Sequence, residues 1–91
     1  MTDLSYEGWT NYETWCVHLW LSNEQGTDMF AREQASREFA YEVQADDAFR
    51  EFVEEIYSLD HLRGLAGDLV NAAMGCVDWR EVREAFLDKD E

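Results

Sequence analysis

The chain has 91 residues, with 21 acidic against seven basic side chains and a formal net charge of −14. That length fits one domain. The charge excludes direct nucleic-acid binding and adhesion to anionic membranes, both of which need a basic footprint. Aromatic residues make up 14% of the chain, and each buried ring removes about 150–250 Å² from water. A folded protein is therefore expected in spite of the charge. The start, MTDLSYEG, has neither the basic residues nor the apolar run of a signal peptide. No apolar run approaches the roughly 20 residues of a membrane span, so the expected location is the cytoplasm.

Residues 1–8 read as a loose polar arm with Leu4 and Tyr6 as anchors. The next stretch, GWTNYETWCVHLWLSN, holds Trp9, Trp15 and Trp20. On a helix at about 100° per residue its apolar side chains cover most of the circumference. This predicts a first helix over residues 11–24 at the centre of the fold, with partners on several sides. Thr10 and Glu13 have the spacing of a capping box, and Gly26 is the expected left-handed residue that ends the helix.

A second helix is expected over residues 28–44, capped by Thr27. Ala31, Ala35, Phe39 and Val43 form its core stripe, and Phe30 and Tyr41 lie opposite. That arrangement implies either packing on two sides, the favoured reading, or an exposed aromatic pair. Ala45-Asp46-Asp47 interrupts the pattern. A third helix over residues 47–59 is the most clearly amphipathic, with Phe49, Phe52, Val53 and Ile56 facing Glu51, Glu54 and Glu55. Asp60 can cap a fourth helix over residues 61–75, with Leu62, Leu65, Ala66, Leu69, Val70, Ala73 and Cys76 as its buried face. Gly67 costs a helix about 1 kcal/mol relative to alanine, so it is expected to mark a close approach of backbone. Asp78 and Glu81 form a second capping box. A fifth helix over residues 79–87 buries Trp79, Val82 and Phe86, and residues 88–91 are a frayed acidic tail. No run of β-branched alternation is long enough for a strand. The expected architecture is all-α, a compact single-domain bundle of about five helices around helix 1.

The carboxylates are the first candidate for function. Asp47, Glu51, Glu54 and Glu55 are neighbours at i+3 and i+4 spacing, about 5–6 Å apart, where like charges repel by a few tenths of a kcal/mol per pair. Folding does not require such a face. Its spacing is similar to that of successive phosphates along a DNA strand, so it can enter the basic groove of a DNA-binding protein, with affinity that falls with salt. Glu38 and Glu42 extend the set, diluted by Arg32 and Arg37. The plainer reading is a solvated face that maintains solubility.

Other chemistry is thinly represented. Cys16 and Cys76 lack a CxxC spacing and read as two buried thiols rather than a disulfide or metal site. His18 lies between Thr14 and Ser22 and reads as a partly buried, hydrogen-bonded histidine; His61 reads as surface. No Ser-His-Asp order, phosphate loop or HExxH is present. No enzyme, cofactor or metal is expected.

Asn11-Tyr12-Glu13-Thr14-Trp15, followed by Leu19-Trp20-Leu21-Ser22-Asn23-Glu24, resembles a family of small proteins from phages, plasmids and archaeal or bacterial mobile regions. So do Asp68-Leu69-Val70-Asn71-Ala72-Ala73 and Val77-Asp78-Trp79-Arg80-Glu81. The resemblance covers about three-quarters of the chain and implies a setting rather than a mechanism: interference with host defence or transcription, inside the host cytoplasm. Asn11, Tyr12, Glu13, Thr14, Trp15, Trp20, Asp78 and Trp79 coincide with caps and core aromatics, and are expected to be scaffold.

Three functional expectations result. The first is a non-enzymatic DNA mimic, anti-restriction or anti-CRISPR, whose partner is a basic, nucleic-acid-binding host protein. The second is an interaction or assembly module that binds through Phe30 and Tyr41, in a homodimer for example. The third is a halophilic helical domain whose charge is only solvent adaptation.

Overall fold

The computed structural model describes residues 8–87, so the expected arm and acidic tail, with Leu4 and Tyr6, lie outside the described residues apart from Gly8. Five α-helices, α1 Tyr12–Asn23, α2 Gln25–Ala35, α3 Glu42–Ile56, α4 Gly64–Cys76 and α5 Trp79–Ala85, form an all-α bundle, with a 3₁₀ turn at Leu59–His61. No strand occurs among the described residues.

The start of α1 differs from expectation by one residue. Asn11, not Thr10, is the cap, and its side chain accepts the Thr14 N–H at 2.9 Å. The Thr10 N–H donates instead to Glu81 Oε1 at 3.1 Å, across the fold. Asp78 caps α5 by accepting the Glu81 N–H at 3.1 Å, but the reciprocal half of that expected box is replaced. The Asp78 N–H goes to Thr14 Oγ1 at 2.9 Å, while Glu81 accepts from Thr10.

The middle of the chain departs further. Gly26 does not end α1; it lies in the first turn of α2, after an extended Glu24. Thr27 is therefore inside α2 rather than its cap. The helix stops at Ser36, and residues 36–41 are not helical. The i+4 repeat of small and apolar residues runs on through a real break, so Ala31 and Ala35 are buried while Val43 is 58% exposed on the next helix. Ala45-Asp46-Asp47 does not interrupt anything; it is the second turn of α3. That helix starts five residues earlier than expected, where Gln44 Oε1 accepts the Tyr41 N–H at 3.3 Å.

The core is built from Leu21, Ala31, Ala35, Phe49, Val53, Met74, Val77, Val82 and Phe86. Phe49 of α3 and Phe86 after α5 lie with ring centroids 6.2 Å apart. Helix α1 packs against α2, α4 and α5, burying Thr14 and Leu21. Its opposite side is open: Trp20 is 59% and Tyr12 51% exposed.

Helix α4 is the largest correction. Asp60 belongs to the 3₁₀ turn, and α4 begins after Arg63. Gly67 does mark a close approach, since a Cβ there would stand 2.9 Å from the Leu62 carbonyl oxygen. That contact lies at the entry of the helix itself; Met74 is buried and Val70 half-buried, so their side of α4 faces the core. Most of the face expected to be buried turns outward, leaving Leu65 75% and Leu69 61% exposed.

Candidate functional site

Helix α3 shows two different electrostatic faces. Towards α5, Glu42 and Asp46 sit one turn apart and meet Arg80 and Arg83, themselves one turn apart on α5. Arg83 Nε donates to Asp46 Oδ1 at 3.0 Å, with side chains only 9% and 15% exposed. Arg83 also donates to Glu42, and Arg80 Nη2 lies 3.0 Å from Asp46 Oδ2. This network was missed in the sequence, although an acid pair and a base pair at helical spacing were its signal. Glu42 is therefore a structural ion-pair residue rather than part of a free acidic face. Glu38 is exposed and lines a separate groove beside it, with Arg37 and Arg83.

The outward face of α3 carries Asp47, Glu51, Glu54 and Glu55. Glu54 is compensated by Arg50, whose Nε donates to Glu54 Oε2 at 2.8 Å; its expected unpaired state is thus corrected. Asp47, Glu51 and Glu55 are exposed, and no ion pair to them occurs among the described residues.

Two grooves adjoin along this face. The first, of about 570 Å³, has Phe39 and Phe52 among its lining residues, with Glu51, Glu54, Glu55 and Asp60 as its acids. Among the described residues Arg37 is its only base, with the guanidinium carbon 5.0 Å from the Phe39 ring centroid. The second, of about 340 Å³, shares Glu54 and Asp60 and adds Asp68 and Arg63. Carboxylates from α3, the 3₁₀ turn and α4 therefore follow one another along a single side of the molecule. Asp68 and Asp60 were missed as members of it, because their neighbourhood depends on how α4 docks.

The apolar candidates are Phe30 and Tyr41, 60% and 68% exposed. The favoured two-sided packing of helix 2 is not found, because Tyr41 lies outside that helix. A better apolar feature is a groove of about 360 Å³ lined by Cys16, Val17, Trp20, Val53, Tyr57, Leu59 and Met74. Burial in the company of Glu24 raises the Tyr57 hydroxyl above its ordinary value.

Of the residues expected to be scaffold, Asn11 and Asp78 are helix caps, whereas Tyr12 and Trp20, expected as core aromatics, are exposed. Thr14 is buried; Trp15, Trp79 and Glu13 are half-buried, and the Trp79 Nε1–H donates to the Met74 carbonyl at 3.0 Å. His18 lies between the tilted rings of Trp9 and Phe86, with centroids 4.7 and 4.8 Å away, and the expected side-chain hydrogen bond does not occur among the described residues. Burial lowers its pKa below the ordinary 6.5, with Asp28 opposing and Arg32 reinforcing the shift. Cys16 is half-buried and Cys76 exposed, so the expectation of two buried thiols fails. No group of three or more metal-ligating side chains occurs among the described residues, and no helix there is long and apolar enough to cross a membrane.

Comparison with known proteins gives one family-level match. The model of a family described as "Family of unknown function (DUF7249)" matches residues 2–91. No curated protein and no solved structure matches.

Proposed function

Given that the chain belongs to the DUF7249 family, whose function is unknown, we propose from its surface that it is a small acidic, non-enzymatic protein that binds a basic, nucleic-acid-binding surface of a host protein. The carrying observation is the outward face of α3, where Asp47, Glu51 and Glu55 are exposed and without ion pairs among the described residues. The acids continue through Asp60 and Asp68 along the two grooves. Carboxylates so arranged offer a basic groove the same attraction as phosphates. A phage or mobile-element setting, with inhibition of restriction or CRISPR defence, is the concrete form of the proposal. The paired Glu42 and Glu54 narrow the mimicking set to the other acids. The test is capture from host lysate at about 50 mM and 500 mM salt, where screening shortens the reach of charge. Capture of a DNA- or RNA-handling protein, its release by the higher salt, and its loss in Asp47→Lys/Glu51→Lys/Glu55→Lys are expected. Unchanged capture by that variant would sink the reading.

A second reading, an interaction module using apolar surface, is favoured by the exposed Trp20 beside its apolar groove. It predicts salt-insensitive capture that is lost on Trp20→Ala rather than on Phe30→Ala or Tyr41→Ala. The halophilic alternative predicts loss of folding at low salt, as the acidic surface repels itself.

A further inference from the structure

Helix α4 carries its apolar face on the wrong side for its own core. Val70, Met74 and Gly67 face inward, and Leu65, Leu69, Ala72 and Cys76 lie about 160° round the helix from them. All four are exposed. This strip contains no charge, in a protein of net charge −14. It is also graded along its length, with the two leucines in the N-terminal half and the small side chains, Ala72 and Cys76, in the C-terminal half.

We propose that this strip is the contact between two copies of the chain, with α4 packed antiparallel on α4 of the second copy about a two-fold axis. In a two-fold interface residue i meets j and j meets i. An axis passing between the levels of Val70 and Asn71 sets Leu65 against Cys76 of the other copy and Leu69 against its Ala72. Each large side chain then meets a small one, twice over, and the two helix dipoles oppose. The uncharged strip is where two strongly acidic copies can touch without setting carboxylates face to face. Asp68 stays at the rim. The occupant is therefore a second copy rather than the basic partner of the acidic face, which this strip gives no charge to read. The contact is small, in the class of transient interfaces below about 1,200 Å² in total, so the dimer forms at high protein concentration.

The register makes a sharp test. Antiparallel pairing about this axis separates Cys76 from Cys76 by roughly 16 Å along the helices, beyond disulfide reach, and brings position 65 within it. In a Cys16→Ser background, Leu65→Cys is expected to give a disulfide-linked dimer on mild oxidation. Cys76 alone, and Leu65→Cys with Cys76→Ser, are expected not to. Equal cross-linking by Cys76 alone overturns the register. Sedimentation of the wild-type chain supplies the second measurement: association is expected to rise from about 50 mM to 500 mM salt, as repulsion is screened, and to be lost in Leu69→Glu. A wild-type chain that stays monomeric at about 1 mM protein in the higher salt overturns the proposal. The salt response is opposite to that expected of the acidic face, so the two readings fail separately.

Discussion

The Thr14 hydroxyl accepts the backbone N–H of Asp78 at 2.9 Å and donates to Asn11 Oδ1 at 2.6 Å, so one buried side chain closes the starts of α1 and α5 together. Thr14→Val keeps the shape and removes both bonds. It is expected to cost about 2 kcal/mol, mostly from the polar groups left without partners. Urea denaturation measures this; an unchanged midpoint would show that the hydroxyl contributes nothing.

The pair of Arg83 and Asp46 is the most sheltered charge contact among the described residues, with 9% and 15% side-chain exposure. Removing one partner of such a pair leaves an uncompensated charge. Asp46→Ala is expected to lose about 2 kcal/mol, less than the full penalty because Glu42 still binds Arg83. The neighbouring exposed acid gives the contrast: Asp47→Ala stays within about 0.5 kcal/mol of the parent. Equal losses for the two would refute the assignment.

Two glycines of α4 are expected to respond with opposite signs. At Gly67 a Cβ meets the Leu62 carbonyl oxygen at 2.9 Å and its carbon at 3.1 Å, whereas at Gly75 nothing lies within 4 Å. Gly67→Ala is destabilising by about 1 kcal/mol or more, the clash outweighing the helix-propensity gain. Gly75→Ala is stabilising by about 0.5 kcal/mol. Thermal unfolding of the two variants reads both signs.

His18 predicts a pH dependence. Its folded pKa lies below the unfolded 6.5 because burial between Trp9 and Phe86 disfavours the cation. Between those two values the unfolded chain binds more protons, so stability falls as pH drops below about 6.5 and the loss levels off below the folded pKa. His18→Phe retains the ring contacts and is expected to flatten the profile below about pH 6.5 relative to the wild type. Parallel profiles for the two proteins would show that another group titrates.

The parts of the fold legible in the sequence were those whose signals are local and uncontested. Asp78 capped its helix as read, and the charged face of α3 pointed outward because four acids at helical spacing have nowhere else to go. The boundary near Ser36 was hidden because Ala31, Ala35, Phe39 and Val43 keep a helical interval across a segment that is not helical. Rotation of α4 was hidden for a different reason. Two candidate faces compete on that helix, and the side with Val70 and Met74 is the one that packs on the core, which depends on how α4 docks. The ion-pair network of α3 and α5 joins residues 37 positions apart, beyond any local pattern. Asp60 and Asp68 join the candidate acidic surface through the same docking of α4.

Asn11 and Thr14 find partners at Cys76 and Asp78, more than 60 residues downstream. On a ribosome, synthesis proceeds at roughly 5–20 residues per second. The first helix therefore waits several seconds, by that rate, for the segment its start bonds to. Until then the contacts of α1 with α5 cannot form. Nascent chains halted before Asp78 should consequently be held by chaperones or degraded, whereas chains released after it can close the staple at once. For this protein, the arrival of the segment around Asp78 sets the moment at which the starts of α1 and α5 can be joined.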